Sequence, residues 1–435
     1  MEKYSSYKDS GFAWMGQIPS HWETRRFRFL LAENSLQNTD LKERNQLQFK
    51  YGDIVPKANQ SEDKDVLDTI KKYTVVAPGD IMINGLNLNY DFISQRVAQV
   101  QEPGVITSAY VSLRPLEGAN SKYYTYYMKA MDAQKMFHGM GSGVRLTLSY
   151  DNLKNLFFPY PSPEEQNAIV AYLDAATAKI DEAIAQQQRM IDLLNERRQI
   201  IICRIITKGL DAKAKMKDSG IEWVGDVPDS WEKRRIYYTI DRRFDGAWGD
   251  DEKGNSDDVI CYRIADFDYQ KGYLDDKKFT LRNVDPETRK KKQVQKGDLL
   301  VEKSGGGDLY PVGRVVSVNY EQDAICSNFI QALKIKDGFD SRFIFYVFKA
   351  MYSKKVNIPF FNQTTGIQNL QVKEYLKNEM FYPSYEDQCK ISGFLDSISN
   401  SIQDGIEDCN RMITLLQERK QIIINDVVTG KVRIV

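Results

Sequence analysis

Basic residues occur in three short runs that could contact a phosphate backbone. Lysine and arginine neutralise phosphates and release counterions, which is the chemistry that holds a polyanion such as DNA. Two of the runs precede a Gly-Asp pair at matching places in the two halves of the chain. The alternative is that the lysines lie in a solvated surface loop, which explains them equally well. The candidates are Lys71, Lys72, Arg242, Arg243, Arg289, Lys290, Lys291 and Lys292.

Loops rich in glycine and amide side chains follow the Gly-Asp pairs and could approach nucleotide base edges. The stretch "NGLNLNYD" (84–91) matches "EKSGGGD" (302–308), and "GMGSGVRL" (139–146) matches "NQTTGIQN" (362–369). Asparagine, glutamine and arginine are the usual side chains that read bases, while a plain turn is the alternative for each loop. The candidates are Asn87, Asn89, Arg145, Lys303, Ser304, Gln363, Gln368 and Asn369.

Two stretches come close to the motifs of a DNA amino-methyltransferase. "FHGMG" (137–141) fits F-x-G-x-G, and "NIPF" (357–360) is one residue from N-P-P-[FY]. The two align with one another in the repeat described below, so they are one loop that occurs twice. A cofactor loop follows a strand and opens a helix, whereas "FHGMG" follows a helical stretch. We therefore expect no catalytic residue and no bound cofactor in this chain.

Histidine and cysteine offer little further chemistry. The two histidines, His21 and His138, lie in different parts of the sequence, which favours structural roles over a metal site or a catalytic triad. The five cysteines are scattered without C-x-x-C spacing, so we expect structural thiols, with no disulfide and no zinc site.

Composition limits the class of protein. The 435 residues, 42% of them hydrophobic, can build two or three domains, and 60 basic against 60 acidic residues leave a net charge of zero. Any polyanion must therefore be held by local patches rather than by a global field. No apolar run reaches the roughly 20 residues of a membrane span, and the first residues lack a signal-peptide core. We expect a cytoplasmic protein.

The chain repeats itself. "KDSGFAWMGQIPSHW" (8–22) returns as "KDSGIEWVGDVPDSW" (217–231), and "SKYYTYYMKAM" (121–131) returns as "SRFIFYVFKAM" (341–351). "YPSPEEQ" (160–166) returns as "YPSYEDQ" (382–388) at the entry to a stretch with helical periodicity. Two halves of similar plan therefore follow one another.

Each half predicts a mixed α/β module followed by a long helix. The modules alternate short β-rich runs with Gly, Asn and Asp, and contain one aromatic-rich helix. We expect modules at 1–160 and 209–382, with helices at 161–208 and 383–435 that pack as an antiparallel coiled coil and hold the modules at opposite ends. Two independent helices, each folded onto its own module, are the alternative. The first helix's apolar seam is predicted to contain Ile169, Leu173, Ala176, Ile180, Ala183, Met190, Leu194 and Ile201.

The repeated motifs, taken in order, resemble the specificity (S) subunit of type I restriction-modification systems. The resemblance implies that each module is a target recognition domain reading one half of a bipartite, asymmetric site on double-stranded DNA. It also implies that the helices act as a spacer and dock two modification (M) methyltransferase subunits, with restriction (R) subunits joining the full complex. Catalysis would then belong to the partners.

Comparison of the two halves indicates where reading occurs. Between 30 and 73 in the first half, and between 240 and 294 in the second, the copies share almost nothing, as expected of surfaces that read different bases. Charged positions expected to face outward from the helices could meet the M subunits or water. They are Arg189, Glu196, Arg197, Arg198, Arg411, Glu418 and Arg419.

A coiled-coil scaffold that binds only proteins is the main alternative function. Salt separates the two hypotheses, since phosphate-mediated binding weakens steeply with added salt and an apolar helix interface does not.

Overall fold

The computed structural model describes residues 2–11, 16–50, 52–143, 146–275, 279–364 and 366–434. The chain forms two compact units. The first unit comprises Met1–Gln186 together with Met412–Val435, and the second comprises Gln187–Arg411. Each of the two long helices therefore contributes one part to each unit.

The first unit is a mixed α/β module with short elements. Its strands are β1 (Tyr7–Asp9), β2 (Gln17–Pro19), β3 (Glu23–Arg26), β4 (Leu31–Glu33), β5 (Leu47–Lys50), β6 (Asp53–Pro56), β7 (Thr74–Val76), β8 (Ile81–Ile83), β9 (Val97–Gln99), β10 (Gly104–Ile106), β11 (Val111–Pro115) and β12 (Phe157–Tyr160). Its helices are α1 (Lys64–Ile70), α2 (Ser121–Ala133), α3 (Tyr150–Leu153) and the start of α4 (Pro163–Lys208), with 3₁₀ turns at Phe27–Phe29 and Met136–Gly139.

An antiparallel sheet in the order β4-β11-β8-β9 forms the centre of the first unit. Every residue of β8 is buried, as expected of a strand covered on both faces. Helix α2 packs in the same core through Tyr123, Tyr124 and Tyr127. The pairs β1-β2, β3-β12, β5-β6 and β7-β10 complete the unit.

The second unit repeats this plan with a larger sheet. Its strands are β13 (Met216–Asp218), β14 (Asp226–Pro228), β15 (Glu232–Arg235), β16 (Ile240–Asp245), β17 (Asp250–Asp251), β18 (Asp258–Tyr262), β19 (Phe267–Asp268), β20 (Tyr273–Leu274), β21 (Thr280–Asn283), β22 (Leu299–Glu302), β23 (Ser304–Gly305), β24 (Val315–Ser317), β25 (Ala324–Cys326), β26 (Ile330–Ile335), β27 (Phe361–Thr364), β28 (Ile367–Leu370) and β29 (Glu379–Tyr382). Its helices are α5 (Pro286–Lys292), α6 (Ser341–Ser353), α7 (Val372–Tyr375) and the start of α8 (Tyr385–Val428), with 3₁₀ turns at Ile236–Thr239, Ile264–Asp266 and Ile358–Phe360.

The main sheet of the second unit has the order β16-β26-β22-β24-β20-β19. The same unit also contains a four-stranded sheet, in the order β17-β21-β18-β25, and a three-stranded sheet, in the order β23-β28-β27. Both larger sheets are mixed, because β20 pairs with β24 and β18 pairs with β25 in parallel. Strands β17 to β21 fall within 240–294, where the two halves of the sequence diverge.

The last residue of the repeated motif "YPSPEEQ" (160–166) and "YPSYEDQ" (382–388) is a glutamine that joins each long helix to its module. In the first unit, buried Gln166 accepts from the Asn120 backbone N–H at 2.8 Å and donates to the Pro161 carbonyl at 2.9 Å. In the second, buried Gln388 makes the same two bonds, to Asp340 and Pro383. Asn120 and Asp340 are the N-caps of α2 and α6, so the motif fixes the aromatic helix against the long one.

The repeated tryptophan packs where a long helix ends. Trp231 lies against Gly209, directly after α4, and Trp22 lies against Gly430, after α8. A Cβ at Gly430 would come within 2.4 Å of Pro19, and both glycines have positive φ. Only glycine suits such a position, which explains the small residue at each helix C-terminus.

The two long helices run antiparallel, as predicted. In the first unit Asp181 of α4 pairs with Lys420 of α8 at 2.7 Å, and Leu173 shares a core with Val427. In the second unit Arg198 contacts Gln403, and Leu194 packs at the level of Gly405. The mixed α/β fold with two paired long helices is therefore confirmed.

The predicted seam of α4 was wrong at Met190 and is shifted by one residue at Ile201. Met190 is half-exposed, while its neighbour Ile191 is buried, and Ile202 is buried more deeply than Ile201. Adjacent apolar residues satisfy the same helical period, so the spacing alone could not choose between them.

Candidate nucleic-acid interface

The matched glycine- and amide-rich loops meet in both units. In the first unit the Leu148 N–H donates to the Gly85 carbonyl at 2.9 Å, which joins the loop after β8 to the 146–148 segment. In the second, the Leu370 N–H donates to the Lys303 carbonyl at 2.8 Å, and β23 pairs with β28 through Ser304 and Asn369. Each module therefore presents one composite loop surface, which we call the paired loops.

A buried arginine holds the first pair of loops. Arg96 is fully buried, and its guanidinium donates to the carbonyls of Asn84, Leu86 and Asp91 at 3.0, 2.8 and 2.6 Å. His138 contacts the Asp91 carbonyl at 3.1 Å and stacks on Phe92. These bonds leave the loop few alternative conformations, since each carbonyl would otherwise lose its partner.

The Asp91 side chain closes the end of that loop. Its carboxylate accepts from the backbone N–H groups of Ser94 and Ile93 at 2.9 and 3.1 Å. Hydrogen bonding from Ser94, through its backbone and then its side chain, lowers the pKa of Asp91 to about 2. The carboxylate is therefore charged, and the turn stays closed, across the physiological pH range.

An ion pair holds the second pair of loops. Arg314 occupies the repeat position of Arg96 and forms a bidentate pair with Glu302, at 2.8 and 2.9 Å. Glu302 is 1% exposed, and the Arg314 guanidinium also lies 3.7 Å from the centre of the Tyr269 ring. The two units thus anchor equivalent loops with different chemistry.

Strand β16 gathers most of the basic candidates of the second unit. Arg242 donates to the Lys291 carbonyl of α5, and Lys292 donates to the Gly246 carbonyl at 3.1 Å. Lys303 pairs with Asp245 at 2.8 Å. Burial opposes it, but hydrogen bonds from Lys303 and Gln331 lower the pKa of Asp245. The structure therefore brings α5, β16 and the paired loops into one surface.

Three further candidates in this unit are also held by the protein itself. Gln368 is 2% exposed, and its side-chain oxygen accepts from the Val312 N–H at 3.1 Å. Arg289 pairs with Asp323, and Arg243 contacts Gln331 at 3.4 Å. These side chains shape the surface. Those left exposed on it are Arg242, Lys290, Lys291, Gln363 and Asn369, while Ser304 is half-buried and bonds to Asn369.

The first unit spreads its candidates over separate elements. Lys71 and Lys72 are exposed at the end of α1, where Lys71 pairs with Asp68 at 2.9 Å. Asn87 is exposed on the paired loops with a φ of 53°, and Asn89 is half-buried beside it. Arg145 lies outside the described residues.

Sequence reasoning missed the apolar tips of the paired loops. Tyr90 and Ile93 are 76% and 94% exposed in the first unit, and Leu309 and Tyr310 are 87% and 64% exposed in the second. It also missed Arg25 and Arg26 of β3, which recur as Arg234 and Arg235 of β15. Their repetition in both halves was the available signal.

Among the described residues, the structure assigns plain roles to the features resembling catalytic motifs. "FHGMG" and "NIPF" both fall on the 3₁₀ turn after the aromatic helix, at Met136–Gly139 and Ile358–Phe360. His21 contacts Glu165 at 3.0 Å and supports the start of α4. Within the described ranges, no group of three or more His, Cys, Asp or Glu side chains could hold a metal ion, and no helix could span a membrane.

A family model decides what these two modules are. The model for the type I restriction modification DNA specificity domain matches twice, at residues 31–189 and 252–408. The chain belongs to this DNA-specificity family. Each match covers one set of paired loops and part of a long helix, so the family repeat coincides with the repeat in the structure.

One solved structure agrees with this fold over nearly the whole chain. The chain is similar, at 14% identity and a TM-score of 0.67, to a chain from a structure described as "Structural basis underlying complex assembly and conformational transition of the type I R-M system", covering 95% of this chain and 99% of that one. It also matches the HsdS subunit from Thermoanaerobacter tengcongensis at 15% identity and a TM-score of 0.46, over 95% and 98% of the two chains. No curated protein matches the sequence.

Family membership confirms the resemblance inferred from the repeated motifs. The protein is a DNA-recognition subunit of a type I restriction-modification system and not its catalytic methyltransferase. The scaffold that binds only proteins is thereby set aside.

Proposed function

We propose that each unit reads one half of a bipartite, asymmetric site on double-stranded DNA, and that the long helices set the spacing between the half-sites. One observation carries this proposal: the two units share the frame of the paired loops but present different side chains on it. A shared frame indicates a shared role, and different side chains indicate different base sequences.

The exposed side chains suit DNA contact in the second unit. Lys290 and Lys291 project from α5, where they can neutralise phosphates, while Gln363 and Asn369 are amides exposed on the paired loops. Arg242, beside α5, adds a further cation. In the first unit, Lys71 and Lys72 are proposed to neutralise phosphates, and Asn87 is the exposed amide on the paired loops.

The test is to express the chain with the methyltransferase subunit of its own system and to map methylated adenines by single-molecule sequencing. Residues 31–73 are then exchanged for the corresponding segment of another family member. We expect a split, asymmetric motif in which only one half changes.

A matched exchange of α2 (Ser121–Ala133), which is buried in the core, serves as the control and should leave the motif unchanged. Methylation at adenines without a common sequence motif would contradict the proposal. So would an exchange that changes both halves of the motif together.

Docking of two M subunits is supported by an apolar stripe that occurs twice on the helices. Met190, Leu193 and Ile200 of α4 are about half-exposed or more in the second unit. Their repeat counterparts Met412, Leu415 and Ile422 of α8 are exposed to the same extent in the first. This spacing places each set on one helix face, and exposed apolar faces mark protein contacts.

Two equal surfaces fit two copies of one partner. Exposed charges adjoin both stripes at Arg197 and Arg419, as predicted, but Arg198 was wrongly expected to face outward and is 7% exposed. We propose that restriction subunits join the complex formed by these contacts, in the cytoplasm where the DNA lies.

Charge substitutions in the stripes test the docking. Leu193→Glu should reduce the complex from two M subunits to one, and Leu193→Glu with Leu415→Glu should abolish it, as measured by native mass spectrometry. Gln188→Glu, on an exposed face of the same helix away from the stripe, is the control. Retention of two M subunits by the double variant would exclude the stripes as the interface.

A further inference from the structure

A cavity of about 670 Å³ lies in the second unit between α4, the β19-β20 hairpin and α6. This volume falls in the ordinary range for small-molecule sites, roughly 300 to 1,000 Å³. Aromatic rings supply much of its wall: Phe267, Tyr269, Tyr310, Phe348 and Tyr352. The cavity borders the paired loops through Tyr310 and Arg314, but the side chains proposed above to contact DNA or the M subunits do not line it.

Two cations line the cavity without a carboxylate partner. Arg198 is 7% exposed, and its guanidinium donates only to amide oxygens, of Asn195 at 2.6 Å and Gln403 at 3.3 Å. Lys349 of α6 lies 5.2 Å from the centre of the Phe345 ring. In the described part of the chain, neither cation has a carboxylate oxygen within 4.0 Å. The charge of Asp268 acts on both cations from beyond that distance. Cations at low exposure that lack a contacting anion are costly.

The equivalent position in the first unit has the carboxylate that the second unit lacks. Lys420 occupies the repeat position of Arg198, and Asp181 occupies that of Gln403; both Asp181 oxygens lie 2.7 Å from the Lys420 ammonium. Lys129 occupies the position of Lys349. The second unit therefore keeps both cations, replaces the carboxylate by an amide and opens a cavity beside them.

Carboxylates near the cavity restrict the class of ligand. Asp268 lines the wall, and one of its oxygens already accepts from the Gln270 and Lys271 N–H groups. Its other oxygen can accept from an amino or hydroxyl group of a ligand. A ligand that carries an anionic group at one end and a ring with hydrogen-bond donors at the other matches this distribution.

We propose that the cavity binds a small aromatic anion of the nucleoside phosphate class. Its phosphate lies on Arg198 and Lys349, and its base and sugar lie among the tyrosine and phenylalanine rings beside Asp268. Burial, followed by the neighbouring Arg198 charge, lowers the pKa of Lys349 to about 7, so a bound anion also recovers the protonated form of this lysine.

Calorimetric titration of the full chain with adenosine 5′-monophosphate tests this proposal. We expect one site per chain, with adenosine and inorganic phosphate each binding at least about ten-fold more weakly than the nucleotide. Gln403→Asp, which restores the carboxylate of the first unit, should weaken nucleotide binding at least about ten-fold, and so should Lys349→Met.

The control is the mirror substitution Asp181→Gln in the first unit, which should leave affinity and stoichiometry unchanged. Thermal unfolding of every variant verifies the fold. Failure of the nucleotide to bind at millimolar concentration, equal binding of adenosine, or full affinity in both cavity variants would overturn the proposal. None of these results bears on DNA recognition, since the titration contains no DNA.

Discussion

The two units build the same recognition frame but hold it with different interactions. Arg96 holds the first pair of loops through three backbone carbonyls, whereas Arg314 holds the second through the buried carboxylate of Glu302. Between the long helices, the first unit has the ion pair of Lys420 with Asp181, whereas in the second unit Arg198 donates a hydrogen bond to the side-chain oxygen of Gln403.

This difference separates what the fold requires from what recognition requires. Residues that join the helices to the modules, such as Gln166 and Gln388, keep both identity and geometry. The exposed side chains on α5, β16 and the paired loops have no such constraint, so their chemistry can follow the DNA sequence. Substitutions at equivalent positions that differ in their interactions should therefore have unequal effects.

The largest inequality is expected at the loop anchors. Arg314→Met leaves Glu302 buried without its partner and should destabilise the chain by about 3 to 5 kcal/mol. Arg96→Met removes hydrogen bonds to carbonyls and a longer ion pair, at 3.8 Å, with the partly exposed Asp91 carboxylate, and should cost about 1 to 3 kcal/mol. Denaturant unfolding measures both, and Glu302→Leu combined with Arg314→Met should recover most of the loss. Equal costs at the two anchors would refute the distinction between them.

A smaller effect, similar in the two units, is expected at the basic elements. Replacing Lys290 and Lys291 by glutamine should reduce the slope of log affinity against log salt by about 1 for each lost phosphate contact. Replacing Lys71 and Lys72 should change it by a similar amount, because Lys71 is paired with Asp68 just as Lys291 is paired with Glu287. DNA titrations of the methyltransferase complex at several salt concentrations provide the slopes, with Lys253→Gln as a paired surface control. An unchanged slope after the α5 substitutions would remove that helix from the interface.

The smallest effect concerns the repeated lysine of the aromatic helix. The pKa of Lys349, about 7, lies below the value near 10.4 of an unfolded chain, so between these values the folded state binds fewer protons. Its unfavourable contribution is thus full below pH 7 and declines as pH rises. Lys349→Met should raise the melting temperature more at pH 6 than at pH 9, by at least about 2 °C.

Lys129→Met supplies the comparison for that experiment. Burial also lowers the pKa of Lys129, but Asp53, Asp181 and Asp132 oppose the shift. Its pH-dependent gain should therefore be smaller, and a larger gain in the first unit would contradict the charge difference between the units.

The repeated motifs were sufficient to predict the architecture. A Pro-x-x-Glu entry, an apolar period and two copies of each pattern indicated two mixed modules and a pair of antiparallel helices. The same reasoning could not choose between Met190 and Ile191, because both suit the helical period, and it placed Arg198 outside. Burial of Arg198 depends on α6 and β19, which are distant in sequence.

The interface was predicted less completely than the fold. Matched loops were identified from their repetition, and the structure joins them in both units. Residue type could not reveal that Gln368 and Arg289 are held by Val312 and Asp323, since those partners follow from strand register and loop path. The exposed loop tips, at Tyr90 and Leu309 among others, were overlooked because apolar residues suggest a core.

The central claim is that each unit reads one half-site independently. The most direct test is a chain in which residues 1–160 are replaced by a second copy of 209–382, expressed with the methyltransferase subunit and mapped for adenine methylation. We predict a symmetric, split motif in which both halves are the one read by the second unit. An asymmetric motif that still contains the original first half would contradict the account.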